Sequence, residues 1–275
     1  NTGSEPDFFS SLRGPAGAAG APYPAGLAID DTFVYVAANR SNAIHAFDLE
    51  TGQVAWTAAT SPAPVGIRKI GNKLWVSCWG QTPAWNDRSA DSSKTKVAVD
   101  IRGISTGGVI ETFALPSGGE KAAIKLTVTR VPAQPTEMIA LADGGAVAVA
   151  CADGDQIMRV SASGDWKVLW NAGRHEAPTA MIELPDNRVA VTLGGANKVV
   201  VLNKATWMPE VEYATGWYPL AVAGNRNSLA VVSSKGLGSR GRDIDTGRYR
   251  GIAKSEPLRV NVNPAERVRR NVYQF

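Results

Sequence analysis

Five proline-led blocks at near-regular intervals constrain this chain more than any single motif. Pro24 leads PAGLAIDDTFVYVAANR, Pro64 leads PVGIRKIGNKLWVSCWG, and Pro135 leads PTEMIALADGGAVAVACADG. Pro178 leads PTAMIELPDNRVAVTLGG, and Pro219 leads PLAVAGNRNSLAVVSSKG. The successive spacings are 40, 71, 43 and 41 residues, so the long one is a repeat of about 40 carrying about 31 extra residues. The block from Thr215 to Gly238 is the clearest. A turn, Thr215–Pro219, precedes two apolar runs, Leu220–Ala223 and Ser228–Ser233, and the Gly/Asn turn between them reads as a hairpin.

A period near 40 with several short strands per unit is the mark of an all-β fold, a β-propeller with one four-stranded blade per repeat. In the first repeat Gly26–Ile29 is expected innermost, followed by Phe33–Ala38, Ala43–Phe47 and Gln53–Thr57. Asp30-Asp31 and Thr51-Gly52 stand in turns. The runs are rich in Val, Ile, Ala and aromatics, as strands covered on both faces are. Because proline lacks a ladder donor, each one is expected just before its strand. About four and a half repeats are visible. An open ring exposes a sheet face and an edge, so the chain reads as part of a larger ring.

Three regions follow from this pattern. Residues 1–22 are a Gly/Ala/Pro-rich N-terminal segment, residues 23–238 hold the blades, and residues 239–275 form a basic C-terminal extension. Residues 81–106 are a polar, loop-like insert in the second repeat, which resumes at Gly107. Insertions in repeat proteins map to one face and often carry binding, which makes Trp79, Trp85, Asp87 and Arg88 candidate contacts. The competing reading is that these tryptophans cover the blade edge. Residues 235–275 carry a net charge of +6 and the rest of the chain −2. Lys235, Arg240 and Arg242 are therefore candidates for an acidic partner surface, against the plainer reading of a solvated tail. The extension is expected to lie outside the blades, against another chain or domain.

Little else in the sequence points to chemistry. Cys78 and Cys151 stand at matching places at the ends of second strands, on sheets about 10 Å apart, too far for a disulfide. They are expected to be free and buried. His45 and His175, the only histidines, have no ligand partner at metal spacing, and Asp153-Gly154-Asp155 reads as a turn rather than a cation site. No nucleophile elbow or phosphate loop occurs, so no catalytic residue and no metal ligand is assigned. No apolar run approaches the roughly 20 residues of a membrane helix. Asn1 is not an initiator Met, and the chain reads as processed or truncated.

The ordered set of blocks resembles the YVTN-type repeats of bacterial seven-bladed propellers. It is most similar to the propeller portion of proteins that join such a propeller to a phosphoesterase domain of the alkaline-phosphatase superfamily. The residues that carry the resemblance are YPAGLAI at Tyr23–Ile29, VSCWG at Val76–Gly80, VAVD at Val97–Asp100, LGGANKVVVLN at Leu193–Asn203, and TGWYPLAVA followed by KGLG at Lys235–Gly238. The resemblance implies an exported chain, periplasmic or extracellular. The upstream blades, the blade after KGLG and the phosphoesterase domain with its metal ligands have no counterpart here. A second stretch, Ala46–Trp56, is similar to the tryptophan-docking repeat of quinoprotein propellers, but it occurs once where those enzymes repeat it. No cofactor is expected. The expected role is a non-catalytic binding or assembly module whose partner is a protein, or a domain or chain that completes the propeller. Neither nucleic acid nor membrane insertion enters this reading. The alternative is the propeller portion of a metal-dependent phosphoesterase.

Overall fold

A computed structural model describes residues 23–81, 88–92, 95–117, 119–142, 144–225 and 227–235, together with the backbone of Leu258–Asn261 and Asn271–Val272. Every regular element among the described residues is a strand. The first sheet runs β1 (Pro24–Ile29), β2 (Phe33–Ala38), β3 (Ala43–Asp48), β4 (Val54–Ala59), each antiparallel to the next. The second pairs β5 (Pro64–Ile70), β6 (Lys73–Cys78), β9 (Gly108–Ala114) and β10 (Ile124–Val131) in that order. Between β6 and β9 stands a separate hairpin, β7 (Ser89–Ser92) with β8 (Thr95–Ala98).

The third sheet is β11 (Pro135–Ala140), β12 (Ala146–Cys151), β13 (Gln156–Ser161), β14 (Trp166–Asn171). The fourth is β15 (Pro178–Leu184), β16 (Arg188–Leu193), β17 (Lys198–Asn203), β18 (Pro209–Ala214). The fifth is β19 (Pro219–Gly224), β20 (Ser228–Ser233), β21 (Leu258–Asn261), β22 (Asn271–Val272). Two compact units divide the chain, residues 1–149 with 158–167 and residues 150–157 with 168–275, and each is described by itself.

Three expectations need correction. Each proline is the first paired residue of its strand, not the residue before it: Pro24 faces Ala38, Pro64 faces Cys78, Pro178 faces Leu193 and Pro219 faces Ser233. A bulge follows each of these four at once, and a strand's first residue tolerates a missing donor. The insert is not simply loop-like, because Ser89–Ser92 and Thr95–Ala98 pair with each other. The C-terminal extension does not lie wholly outside the blades. Leu258–Asn261 pairs with β20 and Asn271–Val272 pairs with it in turn, which completes the fifth sheet.

The middle strands are buried along nearly their whole length, β12 at every residue, as strands covered on both faces are. In the first unit Tyr35, Ile44, Trp56, Ile67, Leu74 and Phe113 close on one another between the first two sheets. In the second, Leu184, Ala190, Val199, Val201, Leu229 and Val231 fill the space between the fourth and fifth. Each buried Val, Leu, Ile or Phe among them contributes about 1.5–3 kcal/mol. Sheets approach closely at the bulges. A Cβ on Gly66 would stand 2.5 Å from the Thr136 carbonyl oxygen and 2.6 Å from Ser77 Oγ, so only glycine fits. Buried side chains donate from one sheet to the opening strand of the next: Asn39 Nδ2 to Pro64 O (3.1 Å), Ser77 Oγ to Thr136 O (2.7 Å) and Thr179 Oγ1 to Pro219 O (2.6 Å).

The turn between the second and third strands holds the connection to the next sheet. Asn42, Asp155 and Asn197 each stand immediately before a third strand with φ of 52°, 52° and 55°. Their carbonyl oxygens accept from Thr60, Ala172 and Thr215, the residues just past the fourth strand. Their side-chain oxygens accept from the amides of Ala63 (2.9 Å), Ala177 (2.9 Å) and Tyr218 (2.8 Å). These last residues precede the next proline and are left-handed themselves, with φ of 57°, 51° and 56°. Asn and Asp tolerate the left-handed region best among residues with a side chain, and a short polar side chain reaches the amide. In the second sheet the matching position is Gly107, which has no side chain to offer. Asn197→Ala is expected to destabilise the protein by about 2–3 kcal/mol in urea unfolding. Asn197→Gly, which keeps the left-handed backbone, should lose less.

Candidate functional site

Trp79 leads out of β6 toward the insert, and Gly80 follows it. The Trp79 amide donates to Ala63 O (3.0 Å) and the Gly80 amide to Pro62 O (3.1 Å), so the start of the insert is tied to the strand linker between the first two sheets. Val97, Ala98 and Val99 are buried beneath it, and a Cβ on Gly80 would collide with Val97. Ser105 Oγ, with one proton to give, lies 3.0 Å from the Gly107 carbonyl and 3.4 Å from that of Trp79, which closes the base of the insert. Trp79 is half-buried and its indole nitrogen is buried with no hydrogen-bond partner. It serves the fold at least as much as any ligand.

Arg88 is exposed and its carbonyl accepts from Val99 N (2.9 Å). Lys235, in the second unit, is exposed and places its ammonium 5.2 Å from the centre of the Tyr218 ring. Trp85, Asp87, Arg240 and Arg242 lie outside the described residues. The sequence reading missed the tip of the insert. Asp100 Oδ1 accepts from the amides of Arg102 and Ile104, and its Oδ2 pairs with the Arg102 guanidinium at 2.7 Å. The turn this makes leaves Ile101 79% exposed, with Ile104 also exposed. An Asp two residues before Arg-Gly, flanked by isoleucines, was the available signal.

A second surface feature lies on β1. The third residue after each opening proline is buried in the inner sheets: Ile67 at 3%, Met138 at 0% and Met181 at 3% exposure. The matching residue of the first sheet, Leu27, is 62% exposed, and Ile29 beside it on the same face is 66% exposed. The face of β1 that other sheets cover is open here.

The buried polar groups have structural partners. Glu111, wholly buried on β9, accepts from Ser61 N and Oγ, pairs with Lys125 Nζ at 2.7 Å, and lies 3.8 Å from Cys78 Sγ. Burial, then the Glu111 charge, pushes the Cys78 thiol well up, and burial does the same to Cys151. Both are free and buried, as expected from sequence, and a protonated buried thiol is a poor nucleophile. His45 on β3 is buried, with Nδ1 3.0 Å from Thr57 Oγ1 and Nε2 unpartnered. His175 is exposed in a left-handed turn whose amide donates to Asp155 Oδ2 (2.7 Å). Asp155 therefore holds backbone, as a turn residue does. Among the described residues no three His, Cys, Asp or Glu side chains cluster as metal ligands would.

Two outcomes follow. Both thiols should react with a disulfide reagent only after denaturation. Burial also holds the His45 imidazole below its ordinary value of 6.5, so the unfolded chain binds a proton there that the folded one refuses. Stability should be full above pH 6.5 and fall as the pH drops below it, giving a lower urea midpoint at about pH 5 than at pH 7. His45→Gln should shrink that difference.

No protein-family model matches the chain, and no curated protein matches it. Solved structures do. Virginiamycin B lyase of Staphylococcus aureus is 12% identical, with a TM-score of 0.53 over 90% of this chain and 69% of that one. Hydrazine synthase of Kuenenia stuttgartiensis is 12% identical with a TM-score of 0.63, over 90% of this chain and 66% of that one. A chain of a nidogen/laminin complex is 16% identical with a TM-score of 0.57, over 92% and 81%. At such identities the likeness is one of fold. Together with the succession of four-stranded antiparallel sheets, it makes this chain a β-propeller of four-stranded blades.

Proposed function

We propose that the chain is a non-catalytic binding and assembly module whose first blade docks against a partner protein that continues the propeller. One observation carries this reading: Leu27 is 62% exposed at the position where Ile67, Met138 and Met181 are buried. A leucine left in water forfeits about 1.5–3 kcal/mol that a covering sheet would recover. The insert tip at Ile101 and the residues Trp79, Trp85, Asp87, Arg88, Lys235, Arg240 and Arg242 are the further contacts of this reading. We also assign the repeats to the YVTN type and the chain to an exported location, on the strength of the ordered blocks from Tyr23 to Gly238.

A second reading is favoured by the same blocks, most of all by KGLG and the VAVD-ending insert. Here the chain is the propeller portion of a metal-dependent phosphoesterase and the chemistry belongs to another domain.

Native mass spectrometry separates the two. An assembly that contains the 29.0 kDa chain and releases it on Leu27→Asp supports the module. A single polypeptide tens of kilodaltons heavier, with phosphoesterase activity lost on chelation, supports the second reading. A 29.0 kDa chain that stays monomeric at every concentration overturns the first.

A further inference from the structure

A cleft of about 460 Å³ opens between the first and second blades, within the first unit. It lies where the β1–β2 and β5–β6 turns and the β9–β10 loop meet. Half-buried Phe33 gives the cleft its aromatic surface, and behind it stand the buried rings of Tyr35, 6.1 Å from Phe33, and Trp56, 5.8 Å from Tyr35. Asp30, Lys69, Asn72 and Glu120 supply its polar side.

The loop that closes the cleft is enlarged. Nine residues separate β9 from β10, against five between β3 and β4, four between β13 and β14, and five between β17 and β18. The extra residues bring Leu115, Pro116 and Glu120 to the wall. Glu120 is itself braced, since its Oε2 accepts from Ser117 N at 3.0 Å.

Asp30 is fully engaged. Its Oδ1 accepts from the amides of Thr32 (3.0 Å) and Phe33 (2.8 Å), and its Oδ2 accepts from the Tyr35 hydroxyl (2.7 Å) and pairs with Lys69 Nζ at 3.5 Å. Asp30 therefore positions Tyr35 and Lys69 rather than meeting a ligand. The Lys69 ammonium has three donors and spends one on this pair, which leaves donors for a ligand oxygen. Asn72, exposed on the β5–β6 turn, adds an amide that both donates and accepts.

We propose that this cleft binds a neutral saccharide. A pyranose has an apolar C–H face for the half-buried Phe33 ring and hydroxyls for an ammonium, an amide and a carboxylate. The volume falls within the range of about 300–1,000 Å³ typical of small-ligand sites. Two carboxylates against one ammonium disfavour an anionic sugar. The site is separate from the open β1 face, so its success or failure leaves the assembly reading untouched.

The test is saturation-transfer NMR on the full chain with maltose, cellobiose and N,N′-diacetylchitobiose, and with glucuronate as the charged counterpart. Transfer to ring protons of at least one neutral sugar, and none to glucuronate, is the expected result. Asn72→Ala and Lys69→Met, with circular dichroism unchanged, should each weaken binding about ten-fold. Transfer to no neutral sugar, stronger transfer to glucuronate, or binding that neither variant alters would overturn the proposal.

Discussion

The structure depends on a connector held at both of its ends. A propeller blade ends at its outer strand and the chain must return to the axis to begin the next. The residues that make this return have backbone groups outside any ladder, and unpaired groups there are costly. Asn42, Asp155 and Asn197 resolve the problem with one residue each, accepting through the main chain at one end of the connector and through the side chain at the other. The left-handed backbone that this demands is also why Asn and Asp stand there. Local conformation, hydrogen-bond satisfaction and blade succession are thus one constraint.

Around that frame, polarity is spent on joining neighbours. Asn39, Ser77 and Thr179 are buried, or nearly so, and each donates to a carbonyl of the next opening strand. Glu111 does similar work from a third strand, reaching back to Ser61 in the connector. The polar groups most shielded from water are therefore joints, and the exposed apolar and concave features lie elsewhere: the open β1 face, the exposed turn of the insert at Ile101, and the cleft beside the β9–β10 loop.

Much of the blade pattern was legible because short apolar runs and turn chemistry are local. Phe33–Ala38 and Ser228–Ser233 are strands with the bounds the sequence suggested. The prolines were misplaced by one position because a bulge lets a strand begin on a residue that cannot donate, and a bulge leaves no composition signal. The insert hairpin was hidden by its polarity, since Ser89–Ser92 pairs with Thr95–Ala98 without an apolar alternation to announce it. Leu258–Asn261 was read as tail because a long, Arg-containing stretch of sequence separates it from β20. The cleft joins Asp30 to Lys69 and Glu120 across two repeats, and no spacing within a repeat reveals that meeting.

The insert occupies the one corner, among those described, where the connector is released by a glycine. At Gly107 no carboxamide reaches forward, so lengthening the preceding turn displaces nothing that the following blade needs. At the corners of Asn42, Asp155 and Asn197 an added residue would swing the acceptor away from its amide and unseat the next sheet. Where such a ring can acquire a new projection is governed by which of its corners are idle, and variation in loop length across the fold is confined by the same geometry that passes orientation from one blade to the next.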